Sequence, residues 1–261
     1  TRQALLRCLS DAHKNVRHAA LEGLSNLSGP LDIQPICAML RDADMEVQTK
    51  AIETLSKLND PRTVHYLLDI LQDETEYVRR GAVEVLNAVG NASAIKDLLG
   101  ALKDQDWWVR VRAADALGTI GGPRVVDAVL TLIKDEDEFI RRSAVEIINT
   151  TKDPKAFEYL LEALADDDWW VKERAIDALA ALGDQRAVPA LLQVLERGEP
   201  QASSVTIKAL ATLGDERAIA PLIAELQNDS KVIRREALQA LSTITNEAHV
   251  HDVIRAVQTM P

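Results

Sequence analysis

The chain has 261 residues, of which 47% are apolar and only 3% aromatic, with a modest complement of glycine and proline. A β-sandwich carries more aromatic, β-branched and turn residues, so the abundance of Ala, Leu, Glu and Asp predicts an all-α protein. The net charge of −11 argues against bulk binding to nucleic acid or an anionic membrane, because neutralising phosphates needs a basic face. Cys8 and Cys37 lack metal spacing, which makes a disulfide framework unexpected and a reducing, cytoplasmic setting the default. No apolar run approaches the length of a transmembrane helix, and Thr1-Arg2-Gln3-Ala4-Leu5-Leu6 does not read as a signal peptide.

In chain order, one pattern returns throughout. An apolar anchor, usually followed by a basic residue, stands at Val16, Val47, Val78, Val109, Ile140, Val171, Ala202 and Ile233, each 31 residues after the last. Eight repeats in strict register fill the chain and leave no room within it for a separate catalytic domain. Each repeat reads as two helices. Gly29, Asp60, Asn91, Gly122, Asp153, Asp184, Asp215 and Asn246 are placed to cap the first helix. Pro30, Pro61, Pro123 and Pro154 follow them at the first helical position, where a missing N–H costs nothing. Phe157, Leu160, Leu161 and Leu164 show the apolar spacing of that helix. Asp44, Thr75, Asp106, Asp137, Asp168 and Ser230 then cap the second helix, three residues before the anchor. Its buried stripe falls at the anchor, four and eight residues on: Val109, Ala113 and Leu117, or Val171, Ala175 and Leu179. Gly121, Gly183 and Gly214 end it.

Five residues before the anchor stands an aspartate, and just after the anchor a base: Asp11/Arg17, Asp73/Arg79, Asp104/Arg110, Asp135/Arg141 and Asp166/Lys172. The stretch Asp104 to Gly118 is nearly complete as Asp-x-x-x-x-Val-Arg-x-x-Ala-x-x-Ala-Leu-Gly. In this the whole chain resembles the HEAT-repeat family, specifically the short HEAT-like repeats of phycobilisome lyases. The resemblance implies a right-handed α-solenoid, a superhelix of eight HEAT-like helix pairs plus a C-terminal extra helix. It also implies that the Asp and Arg residues form a ladder along the spine. The second repeat departs with Gln48, and the seventh with Arg197, Ala202 and Ser203, which predicts a looser or bent stack there.

At the ends, Thr1 stands too late to cap a complete first helix. Glu247 to Met260 reads as a ninth first helix, with Pro261 where its partner would begin. Neither end carries an obvious polar capping repeat, so residues 1–261 are expected to be one repeat domain cut from a longer protein.

Positions one and two before the anchor, and two, three and six after it, project away from the buried stripe. In the HEAT family this face lines the concave side. Here it carries Tyr77, Trp107, Trp108, Phe139, Trp169 and Trp170, six of the chain's nine aromatics, accompanied by Arg80, Arg112, Arg142 and Arg174. These ten residues are the candidate partner-binding groove, across repeats three to six. Trp108/Arg112 and Trp170/Arg174 are spaced for cation–π contact. Trp and Arg are enriched at interface hot spots, and four half-exposed tryptophans present on the order of 400 Å². Simple packing between repeats is the alternative. Acids six residues after the anchor suggest pairs within one helix, Arg80/Glu84 and Arg142/Glu146.

No phosphate loop, nucleophile elbow or Cys/His pairing occurs. The metal site of HEAT-repeat hydroxylases is not carried over, because no His-Glu motif is present, and His249-Val250-His251 lacks a third ligand. No cofactor, metal or catalytic residue is expected. The expected role is a protein or peptide interaction scaffold. The alternatives are a phycobilin lyase or chromophore-handling protein, in which arginines hold the propionates of a bilin, and a HEAT-like DNA-binding protein, which the acidic charge opposes.

Overall fold

The computed structural model describes residues 2–73 and 75–259, with only the backbone of Pro200. Thr1, Met260 and Pro261, used above to place the chain ends, lie outside the described residues. Among these residues the regular structure is entirely helical, with seventeen α-helices and six short 3-10 turns. Two compact units divide after Val125.

The second helices begin where the caps predict. Met45–Leu58, Glu76–Val89, Trp107–Ile120, Glu138–Thr151, Trp169–Leu182, Pro200–Leu213 and Lys231–Ile244 each have 14 residues, and Lys14–Ser25 has 12. The side chains of Asp44, Asp106, Asp137 and Asp168 accept from the backbone N–H of Glu46, Val109, Phe139 and Trp170, satisfying donors that a helix start leaves open. Thr75 and Ser230 hold the same place with extended backbones but make no side-chain cap bond. Gly183 and Gly214 close their helices with φ of 71° and 66°, which a side chain would strain.

The anchors are buried from Val47 to Ile233, whereas Val16, in the first repeat, is only half-buried. Val109, Ala113 and Leu117 are fully buried in the first unit, as are Val171, Ala175 and Leu179 in the second. Small alanines on this stripe let successive second helices approach within each unit, while each leucine contributes about 1.5–3 kcal/mol by its burial.

The first helices enter through a tight turn. Asn91, Asp153, Asp184 and Asp215 cap it by accepting from the backbone N–H two residues on, and Asp60 makes the same bond to Arg62. Repeat two differs from the reading above. Gly29 (φ 93°) and Pro30 lie in irregular chain, and the helix begins only at Gln34, with Pro35 in its first turn. Proline fits a first turn because its missing N–H needs no partner there, so Pro35 is compatible with the late start, and Leu31 and Ile33 bury in the intervening segment. Pro61 likewise precedes its helix, Thr63–Ile70, and Gly122 is the first residue of its helix rather than the cap. The ninth first helix is shorter than expected, Val250–Gln258.

The spine ladder runs between repeats. Arg17, Arg79 and Arg141 each donate Nη1 to the carbonyl of the aspartate six residues upstream, at 2.9 Å. Their Nε instead finds the carboxylate of the next repeat: Asp42 at 2.7 Å, Asp104 at 2.7 Å and Asp166 at 2.8 Å. The same carboxylates accept the backbone N–H of the capping residue two positions later, as Asp104 does from Asp106 at 2.8 Å. Each such aspartate therefore shapes its own loop and docks the previous repeat. Gln48 keeps the carbonyl bond at 2.6 Å, and Arg41 supplies the charge for Asp73 at 2.8 Å. Lys172 of repeat six reaches Glu199 of repeat seven at 3.2 Å, and the helix Pro200–Leu213 keeps its full length.

Candidate functional site

In the first unit, Trp107 and Trp108 are the opening residues of their helix, displayed directly after the Asp106 cap. Trp107 is 58% exposed, Trp108 38% and Tyr77 49%. The two indoles meet edge to face, with centroids 5.6 Å apart. The Arg112 guanidinium lies 5.9 Å from the Trp108 centroid, and Arg80 lies 5.1 Å from that of Tyr77. These are cation–π distances.

Neither arginine is an uncommitted charge. Arg80 grips Asp106 with Nη2 at 2.6 Å and Nε at 3.0 Å. Arg112 is bidentate on Glu84 at 2.7 Å and 2.7 Å, with Asp115 at 2.8 Å on its third nitrogen. The hydrogen bond from Arg80 holds the Asp106 carboxyl below the usual carboxylate range, helped by the N–H of Val109. The hydrogen bonds to Glu84 raise the Arg112 pKa still further.

In the second unit, Trp169 and Trp170 again open a helix behind an aspartate cap. Trp169 is 43% exposed, while Trp170 and Phe139 are half-buried. Arg174 lies 5.7 Å from the Trp170 centroid and 2.7 Å from Asp177, and its buried Nε makes no hydrogen bond. Arg142 grips Asp168 at 2.6 Å. Burial alone would raise the Asp168 pKa, but the bonds from Arg142 and the Trp170 N–H outweigh it and hold it low.

The intrahelical pairs Arg80/Glu84 and Arg142/Glu146 are thus replaced. Arg80 and Arg142 turn toward the cap of the following repeat, with Glu76 and Glu138 of their own helices at 3.9 Å and 3.8 Å. The reason is geometric: an Asp already ordered by a helix cap offers a fixed bidentate target, which an exposed glutamate does not. The ten predicted residues thus separate into aromatics, exposed at Tyr77, Trp107, Trp108 and Trp169 but half-buried at Phe139 and Trp170, and arginines committed to carboxylates.

Two residues of the same register escaped the sequence reading. Met45, two before its anchor, is 63% exposed, and Val232, one before its anchor, is 51% exposed. Their signal was position rather than aromatic character. An open cleft of about 500 Å³ lies elsewhere, between the second helices of repeats one and two. Its Lys14 is already paired with Asp44 at 3.1 Å and Glu46 at 2.8 Å. His65 sits at the start of a first helix, edge-on to Tyr66. Among the described residues no helix is long and apolar enough to cross a membrane, and no cluster of three or more His, Cys, Asp or Glu residues is placed to hold a metal ion.

A family model described as HEAT repeats matches residues 2–87, 66–149, 132–202 and 188–259. A comparison with the curated proteins finds no match. Among solved structures, importin-β matches with a TM-score of 0.69 at 16% identity, over 99% of this chain and 45% of that one. Yeast importin-β matches with a TM-score of 0.63 at 17% identity, over 98% of this chain and 42% of that one. An engineered protein matches with a TM-score of 0.51 at 19% identity, over 98% and 81% of the two chains. The chain spans less than half the length of these importin-β chains, and at such identity the likeness is one of fold.

Proposed function

Because the chain belongs to the HEAT-repeat family, we propose that it is an interaction scaffold that captures a protein or peptide partner on its tryptophan clusters. The observation that carries this reading is the placement of Trp107 and Trp169. Both stand at the same register position, and both stay exposed beside fully buried anchors. Large exposed aromatics on a rigid helix start supply contact area with little side-chain entropy to lose. Importin-β solved with Nup1, and its binding to RanGDP, give the reading a precedent at the level of fold alone. The role is binding rather than catalysis. The bilin and DNA readings both need arginines to meet carboxylate or phosphate, and Arg80, Arg112, Arg142 and Arg174 are already on Asp106, Glu84, Asp168 and Asp177.

The test is to select peptide binders against the native protein and measure them against a Trp107→Ala, Trp169→Ala variant. Binding should fall at least about tenfold with helical content unchanged. Binders selected repeatedly that ignore both substitutions would overturn the assignment.

A further inference from the structure

We propose that each tryptophan cluster takes a cationic side chain from its partner, an arginine or lysine in an extended protein segment. This rests on the interaction reading above and states the chemistry of its partner.

The argument is one of charge. In the first unit, Arg80 and Arg112 are held by Glu76, Asp106, Glu84 and Asp115, four carboxylates around two guanidiniums. In the second, Arg142 and Arg174 are held by Glu138, Asp168, Glu173 and Asp177, again four around two. Even with Arg110 and Lys172 added, which stand three residues after Trp107 and Trp169 on the same helices, the charges around each cluster sum to negative, in a chain whose net charge is −11. An acidic partner would meet arginines already occupied and carboxylates that repel it. A basic partner meets an electron-rich indole face at Trp107 or Trp169, the more exposed member of each pair. The half-exposed Glu76 and the exposed Glu138, in the first turns of the preceding second helices, pair only loosely with Arg80 and Arg142, at 3.9 Å and 3.8 Å, and can turn to its charge. The internal cation–π contacts of Arg112 with Trp108 and Arg174 with Trp170 already occupy the second indole of each pair, which leaves the first for the partner. Complementarity of this kind steers encounter and weakens with salt.

The test uses three acetylated, amidated hexapeptides in which leucine alternates with arginine, glutamine or glutamate, titrated against the native protein by tryptophan fluorescence. The arginine peptide should bind about tenfold or more tightly than the glutamine peptide, and more weakly as salt is raised. It should lose that advantage in Trp107→Ala, Trp169→Ala protein, and part of it in Glu76→Gln, Glu138→Gln protein. If the glutamine or glutamate peptide binds as tightly, and still depends on the tryptophans, the interaction surface stands and the cationic partner is wrong. If the arginine peptide binds regardless of the tryptophans, or none of the three binds up to millimolar concentration, both readings fall.

Discussion

The inter-repeat ladder makes a sharp prediction at Asp104. Its carboxylate receives Arg79 Nε at 2.7 Å and Nη2 at 2.8 Å, together with the Asp106 N–H at 2.8 Å. Only 14% of the Arg79 side chain and 11% of the Asp104 side chain are exposed, between a surface pair worth under about 1 kcal/mol and a buried pair whose breaking costs about 3–5 kcal/mol. Arg79 keeps its bond to the Asp73 carbonyl, which softens the loss. We therefore expect Asp104→Ala to destabilise the first unit by about 2–3 kcal/mol, counting the loop bond. Asp104→Asn should cost about half as much. Asn228 shows why, since its side-chain oxygen accepts the Ser230 N–H at 2.9 Å in the corresponding loop of repeat eight. The amide can keep the loop bond and give up only the charge. Urea unfolding followed by fluorescence, in a Trp169→Phe, Trp170→Phe background so that Trp107 and Trp108 report on the first unit, measures both. A cycle with Arg79→Gln should give a coupling of about 1–2 kcal/mol. A loss under about 0.5 kcal/mol for the alanine variant, or an additive cycle, would refute the ladder as a source of stability.

Three further outcomes follow. Asp73 and Asp106 are held below the ordinary carboxylate range, Asp73 by the Thr75 N–H and Arg41, Asp106 by Arg80 and the Val109 N–H. Because their folded pKa lies below the unfolded value of about 3.9, their stabilisation is complete above that pH and is lost as pH falls further. The urea midpoint should be flat from neutrality to about pH 5 and then drop, and a midpoint that rose on acidification would contradict the assignment. Lys152 ends its helix in the left-handed region with φ 50°, where Gly183 and Gly214 stand in later repeats. Lys152→Gly should stabilise by about 0.5–1 kcal/mol, and Gly183→Ala should destabilise by about 1 kcal/mol, both read from thermal or urea midpoints. Trp107→Ala should change stability by less than about 0.5 kcal/mol, as expected for a side chain held for a partner rather than for the core; a larger loss would return Trp107 to the scaffold.

The scaffold was legible because two periodicities coincide. A helical stripe fixes which face of a second helix is buried, and the 31-residue spacing fixes where the next one starts. Once Val109 is aligned with Val171, the burial of Ala113 and Ala175 follows. Ion pairing was less legible, because two carboxylates compete for each arginine and sequence distance favours the wrong one. Asp73 lies six residues from Arg79, yet that residue offers its carbonyl, and the carboxylate partner comes from 25 residues downstream. The late helix start in repeat two was hidden for a different reason, since Pro30 and Pro35 are both acceptable in a first turn and only the burial of Leu31 and Ile33 decides between them.

The same competition explains what the arginines beside the tryptophans are for. Repeats three and five carry tandem arginines, Arg79-Arg80 and Arg141-Arg142. The loops that follow place aspartates at two matching positions with one residue between them, Asp104 with Asp106 and Asp166 with Asp168. Each arginine takes one aspartate, so the loop before each Trp-Trp helix is fastened twice. The second aspartate of each loop is also the cap of that helix, bonded to the Val109 N–H in one unit and to the Trp170 N–H in the other. Fastening, cap and indole pair are consecutive in sequence, and they recur 62 residues apart. The duplicated element is thus a pair of repeats in which one member clamps the loop that displays the aromatics of the other. On the proposed interaction reading, a surface mounted this way would lose little conformational freedom when a partner arrives, and the arginines would serve binding by holding the tryptophans in place rather than by touching the partner.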